Sequence, residues 1–167
     1  MRIRSRFLVT LLLAAACAGC GIYSFSGSSL PAYLKTVDIP LFVNQSLQPE
    51  AAEEITRRLT AEVLRSNLLK IVSGSGDATL RGLVRSYEHQ ERFIDIRQAR
   101  DASVTEYEVR IVVAVEFIDN RKSEPIYQGT VTGLGTYDPS TGKEEDARSR
   151  AVADIVEQVM QNSVQGW

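Results

Sequence analysis

The sequence is poor in the residues that carry most enzyme chemistry: it has two cysteines, Cys17 and Cys20, and a single histidine, His89. Both cysteines lie in an N-terminal segment that reads as a leader, so the remainder has no thiol nucleophile, no disulfide and no cysteine-based metal site. The domain after the leader must therefore rest on an ordinary apolar core, and it is long enough to form one. No serine sits in a Gly-x-Ser-x-Gly elbow, which argues against a strand-turn-helix hydrolase. His89 shares strand parity with two arginines and a tyrosine, and is expected to be a solvated strand residue. Asp95, Asp101 and the run Glu144-Glu145-Asp146 show neither an EF-hand pattern nor a histidine/carboxylate cluster. Gly133-Leu134-Gly135 has no Lys-Ser/Thr after it, as a phosphate-cradling loop would require. The expectation is a non-enzyme with no cofactor and no metal.

A long hydrophobic run is also missing. Phe7 to Ala16 is apolar but falls short of the roughly 20 residues a membrane-spanning helix needs, and Arg2, Arg4 and Arg6 precede it. That pattern reads as a secretion signal. It ends in Cys17-Ala18-Gly19-Cys20, which resembles the lipobox of bacterial lipoproteins, and a polar glycine/serine-rich stretch follows at Gly21 to Ser29. Cys20 is the expected lipidated residue. Each buried methylene adds about 0.8 kcal/mol of membrane affinity, so several acyl chains on one cysteine anchor a protein stably. The expected division is 1–19 signal peptide, 20–34 lipidated tether and 35–167 folded domain. Loss of three arginines takes the net charge of −2 to about −5, which disfavours bulk nucleic-acid binding.

Within the domain, Val37, Ile39, Leu41 and Val43 alternate with polar residues and predict a half-buried strand, with Pro40 marking an edge or an irregularity. Pro49 then opens a helix of about four turns, with Glu50, Glu53 and Glu54 favoured near its start by the helix dipole. Ala52, Ile55, Leu59 and Val63 form its apolar stripe. Leu68 to Val72 reads as a short extended piece, and Gly74-Ser75-Gly76-Asp77 as a turn. Strands follow at Leu80 to Gln90, at Val104 to Ile118 and at Ile126 to Tyr137. The second of these carries the clearest period-two pattern, at Val109, Ile111, Val113, Val115 and Phe117. Gly129, Gly133 and Gly135 predict a bulge or close approach by another element. Thr141-Gly142-Lys143-Glu144 has the form of a capping box before a C-terminal helix with Val152, Ile155, Val156 and Val159 inward. The order β-α-β-β-β-α gives an α+β fold: two helices on one face of a small, about four-stranded mixed sheet, the other face open. Leu83, Tyr87, Val112 and Ala114 are expected to lend that open face apolar area.

Arg81, Arg85, Arg92, Arg97 and Arg100 crowd one strand and the loop after it in an otherwise acidic domain. Arginine suits phosphate through its bidentate fork, and phosphorylated glycolipids are anionic partners of this compartment. The competing explanation is scattered surface charge beside Glu88, Glu91 and Asp95.

The chain resembles the lipopolysaccharide-assembly lipoprotein family LptE. The resemblance lies in Gly19-Cys20-Gly21-Ile22-Tyr23-Ser24-Phe25, in Leu30-Pro31, in Lys35-Thr36-Val37 and in Thr105-Glu106-Tyr107, together with the order of elements. It implies residence at the inner leaflet of the outer membrane and partnership, as a lumenal plug, with the β-barrel LptD. It also implies binding of lipopolysaccharide through its phosphorylated lipid A end. Basic residues before the longest strand and before the last helix are associated with that binding, and they match Arg100 and Lys143; Arg97, Arg92 and Arg85 are further candidates. A different class of reading is a periplasmic scaffold for another envelope complex, such as peptidoglycan synthesis or secretin assembly.

Overall fold

The computed structural model describes residues 30–95 and 103–164. Cys20, Arg97, Arg100 and the C-terminal Gly166-Trp167 lie outside the described residues. The strands are β1 (Thr36–Asp38), β2 (Val43–Asn44), β3 (Lys70–Val72), β4 (Ala78–Asp95), β5 (Ser103–Asp119) and β6 (Glu124–Tyr137); the helices are α1 (Pro49–Ser66) and α2 (Glu144–Val159), the latter ending in a π-helical turn at Met160–Val164. The sheet is mixed, in the order β3-β1-β4-β5-β6, with β2 also paired to β4. It therefore has six strands where four were expected. The additions are short: β2 spans two residues and β3 three, too few for any periodicity to register.

The expected strand from Val37 to Val43 is broken in two, because Pro40 cannot donate a ladder hydrogen bond. Parity changes across the break. Val37 and Phe42 are buried, whereas Leu41 and Val43 are 62% and 61% exposed. The Phe42 amide donates to Thr56 Oγ1 at 3.0 Å, and its ring lies against Gly82, where a Cβ would overlap it.

Both helices cover one face of the sheet. Pro49 stands at the start of α1, and the left-handed Asn67 ends it. Ile55, Leu59 and Val63 are fully buried against Val37, Leu80 and Val84, each such side chain contributing roughly 1.5–3 kcal/mol by leaving water. Val109, Ile111, Val113, Val115 and Phe117 of β5 are all buried, as their alternation required. The glycines of β6 are there for close approach: a Cβ on Gly133 would strike the Ala151 carbonyl, and one on Gly135 the Ala147 carbonyl. Small residues on both partners let α2 lie almost on the strand.

The same helix closes the outer edge of β6. Gln158 Nε2 donates to the Thr132 carbonyl at 2.9 Å, the Leu134 amide donates to Asp154 Oδ2 at 3.3 Å, and Arg150 donates to the Thr136 carbonyl. Residues 150, 154 and 158 share one side of the helix, so a single stripe satisfies groups that would otherwise invite another strand. The start of α2 also differs from expectation. Lys143, not Thr141, is the cap residue, and its amide donates to the Asp146 carboxylate at 2.9 Å. Glu144 is thereby freed for contacts inside the fold.

Candidate functional site

β5 is 17 residues long, so the sheet extends about 55 Å between two ends of different character. Tyr33 lies at one of them, against Asp119 at the β5–β6 turn. The other carries the β4–β5 hairpin and the start of α2.

At the hairpin end, β6 stops at Tyr137, which pairs with Tyr107, while β4 and β5 continue as a two-stranded ribbon from Glu91/Tyr107 to Asp95/Ser103. A β-bulge between Val84 and Ser86 shifts the register of β4 and reverses its faces. Arg81 and Leu83 keep the open face, but Tyr87 and His89 turn to the helix side. The expectation that Tyr87 adds to the open apolar face is thus overturned, while His89 is an exposed strand residue, as expected, on the helix side of the sheet. Val112 and Ala114 do lie on the open face, half-buried.

The bulge delivers Tyr87 to α2, where its hydroxyl donates to Glu144 Oε1 at 2.6 Å. Burial raises the Tyr87 pKa, and the neighbouring carboxylate raises it further. His89 stands between three partners. Its Nε2 is 3.0 Å from the Tyr137 hydroxyl, its Nδ1 is 3.5 Å from Glu144 Oε2, and its ring centroid is 5.1 Å from that of Tyr107. The Tyr107 and Tyr137 rings stack at 5.4 Å and 18°. Burial, then the Glu144 charge, raise the Tyr137 pKa as well. Behind this cluster Arg148 ties the helices together through Glu50 at 2.9 Å and Glu54 at 3.3 Å.

The residues singled out from the sequence divide. Lys143 is exposed at the start of α2, beside the aromatic cluster, and enters no ion pair among the described residues. Arg92, on the ribbon, is engaged by Glu106 at 3.3 Å and Glu108 at 3.8 Å. Arg97 and Arg100 belong to the 96–102 segment joining the ribbon's strands, outside the described residues. Arg85 sits at the bulge, exposed, about 20 Å along the strand from Arg92; the structure does not bring it to the hairpin end. Arg81 is paired across the sheet with Glu116 at 2.6 Å.

His89 is surrounded by phenols and a carboxylate, and no Ser/His/Asp arrangement forms around it among the described residues. No group of three or more histidine, cysteine or acidic residues among the described residues is placed to hold a metal ion. No described helix is long and apolar enough to cross a membrane. The aromatic cluster escaped sequence reading because it depends on the register of three strands and on one bulge. Its sequence signal is a tyrosine on each of two consecutive strands, Tyr107 on β5 and Tyr137 on β6.

The other end is held by side chains distant in sequence. Asp77 Oδ2 accepts from the amides of Lys35 at 2.9 Å and Thr36 at 3.1 Å and from Thr36 Oγ1 at 2.9 Å, while Oδ1 accepts from Arg121 at 2.7 Å. The Lys35 amide bond, with Arg121 and Thr36, holds the Asp77 carboxyl well below the usual carboxylate range. Asp119 accepts from the Tyr33 hydroxyl and from the Arg121 amide at 2.8 Å, and is likewise lowered, chiefly by Tyr33.

Comparison with known proteins gives a family match and a set of structural likenesses. The profile of one family, described as lipopolysaccharide-assembly, LptE, matches residues 34–163. No curated protein matches the sequence. Among solved structures, the PelC dodecamer of Paraburkholderia phytofirmans aligns with a TM-score of 0.52 at 15% identity, covering 83% of this chain and 95% of that one. The hypothetical protein CT253 of Chlamydia trachomatis aligns with a TM-score of 0.52 at 14% identity, covering 77% and 96%. At such identities the likeness is one of fold.

Proposed function

The chain belongs to the lipopolysaccharide-assembly family LptE, and from that premise we propose that it is an outer-membrane lipoprotein working by binding and assembly. In this reading Cys20 carries the acyl anchor, and the domain plugs the lumen of an LptD-like β-barrel. There it assists the barrel's assembly and the insertion of lipopolysaccharide, meeting the lipid A phosphates with the hairpin end.

The observation that supports the reading most is the meeting of Lys143 with the root of the arginine-bearing hairpin at one end of the sheet. Lys143 has no ion pair to give up among the described residues, so it is the principal described contact for a phosphate, with Arg100 and Arg97 completing the set from the loop. Arg92 contributes less, because Glu106 and Glu108 already hold its guanidinium. Arg85, about 20 Å along the strand from Arg92, is expected to contribute least. Glu145 and Asp146 stand beside Lys143, so the attraction is modest and falls with added salt.

The test has two arms. Acylated protein purified from outer membranes should bring down a large β-barrel. Purified lipopolysaccharide should bind the full chain, and bind less well to Lys143→Ala and Arg100→Ala than to Arg85→Ala. Recovery of a peptidoglycan-synthesis or secretin complex instead, with indifference to lipopolysaccharide, would mean that the domain is a scaffold of another envelope assembly.

A further inference from the structure

Beyond the start of α2, the helix-side face of the sheet continues as a ledge made by His89, Tyr107 and Tyr137. Building on the glycolipid reading above, we propose that this ledge is a sugar-binding platform, taking a pyranose ring of the glycolipid headgroup and leaving a phosphate to Lys143.

The ledge begins where the core ends. Gly135 is the last β6 residue on this face to lie beneath α2, under the Ala147 carbonyl, and the next row outward is the Tyr107/Tyr137 pair. The two tyrosines are half-buried and His89 is exposed. Leucine or phenylalanine would fill such a row if packing alone were required. Every ring here carries a polar atom instead, and the three centroids form a compact triangle with sides of 5.1, 5.4 and 5.8 Å.

Polar groups round the triangle favour a neutral hydroxyl-rich ligand over an anion. Glu144 at the rim presents a carboxylate whose Oε2 is only loosely engaged, at 3.5 Å from His89 Nδ1. The Tyr107 hydroxyl makes no hydrogen bond among the described residues, and it can both donate and accept. Carboxylates accept from sugar hydroxyls and repel phosphate, whereas the apolar face of a pyranose ring lies well on an aromatic surface. An aromatic lining with a few convergent polar groups is the usual make-up of a small-ligand site. Lys143, exposed and next in the chain to Glu144, is the cation offered to a phosphate substituent of the same sugar.

The chain has one histidine, so its imidazole resonances in NMR report on the ledge without assignment ambiguity. Full-length acylated protein in detergent micelles is titrated separately with a deacylated, phosphorylated glucosamine disaccharide, with inorganic phosphate and with intact lipopolysaccharide. The disaccharide and lipopolysaccharide are expected to shift the His89 ring signals saturably, and inorganic phosphate is expected to leave them in place. Tyr107→Leu should weaken the disaccharide about tenfold, while Tyr107→Trp, which restores an aromatic face, should keep it. Equal shifts with inorganic phosphate would overturn the proposal. So would lipopolysaccharide binding that leaves His89 unmoved, and that outcome would spare the function proposed above. A disaccharide response without any lipopolysaccharide binding would have the opposite meaning, keeping the ledge and removing the function. Silence with all three probes would remove both.

Discussion

At the end of the sheet that holds the β5–β6 turn, polar side chains bind the chain to itself across long stretches of sequence: Asp77 fastens residues 35 and 36 to Arg121, and Asp119 fastens Tyr33. The hairpin end has its own long-range links, Arg148 to Glu50 and Glu54 and Tyr87 to Glu144, and a local one from Arg92 to Glu106 and Glu108 across the ribbon, but an aromatic ledge and Lys143 are left facing outward. The first end spends its polar groups on closing the fold. The second keeps some of them for a ligand, and that difference separates a structural end from a working one.

The contrast can be broken most severely at the seam that both ends share. Gly135→Val would drive a side chain into the Ala147 carbonyl and lift α2, at a cost of about 3 kcal/mol, measurable by urea unfolding; a loss under about 1 kcal/mol would mean that the helix does not pack as closely as described. Next comes Asp77→Ala, which removes the acceptor of five donor atoms at the end that holds the β5–β6 turn. It should lower the melting temperature by several degrees and speed amide exchange at Lys35 and Thr36, with exchange at the hairpin end unchanged.

Acid should act on the same end. The folded carboxyls of Asp77 and Asp119 lie below the ordinary value of 3.8, so their contribution to stability is complete above that pH and is lost as the pH falls below it towards the folded values. Asp138, near the hairpin end, is also lowered, but only by its neighbour Ser140, so its protonation loosens one turn. Thermal melts across this range should therefore fall less steeply for Asp77→Asn than for the unaltered chain; parallel slopes would show that Asp77 does not set the acid sensitivity. The smallest effect on stability is expected from Lys143→Ala, within about 0.5 kcal/mol, although lipopolysaccharide binding should weaken measurably.

Periodicity carried through wherever a long element was uninterrupted by a bulge or a proline. The β5 stripe from Val109 to Phe117, the α1 stripe from Ala52 to Val63 and the meaning of Gly133 and Gly135 were all readable from residue types alone. Legibility failed at single-residue events. Pro40 reversed the parity between Val37 and Phe42, and the bulge at Arg85 moved Tyr87 and His89 across the sheet. Lys143 displaced Thr141 as the cap, because Asp146 and not Glu144 reaches back to close the box. Of the candidate site, the exposed Lys143 was legible as a charge before a helix. The ledge was not, since nothing local aligns residues 89, 107 and 137 until three strands are in register.

The most direct test of a working hairpin end is photo-crosslinking in intact cells, with a photoreactive amino acid placed at Lys143 in one strain and at Lys122 in another. Both positions are exposed, and they lie at opposite ends of the sheet. Lipopolysaccharide adducts at position 143 and none at 122 are the predicted result. Adducts at 122 alone, or equal yields at both, would contradict the assignment of function to the hairpin end.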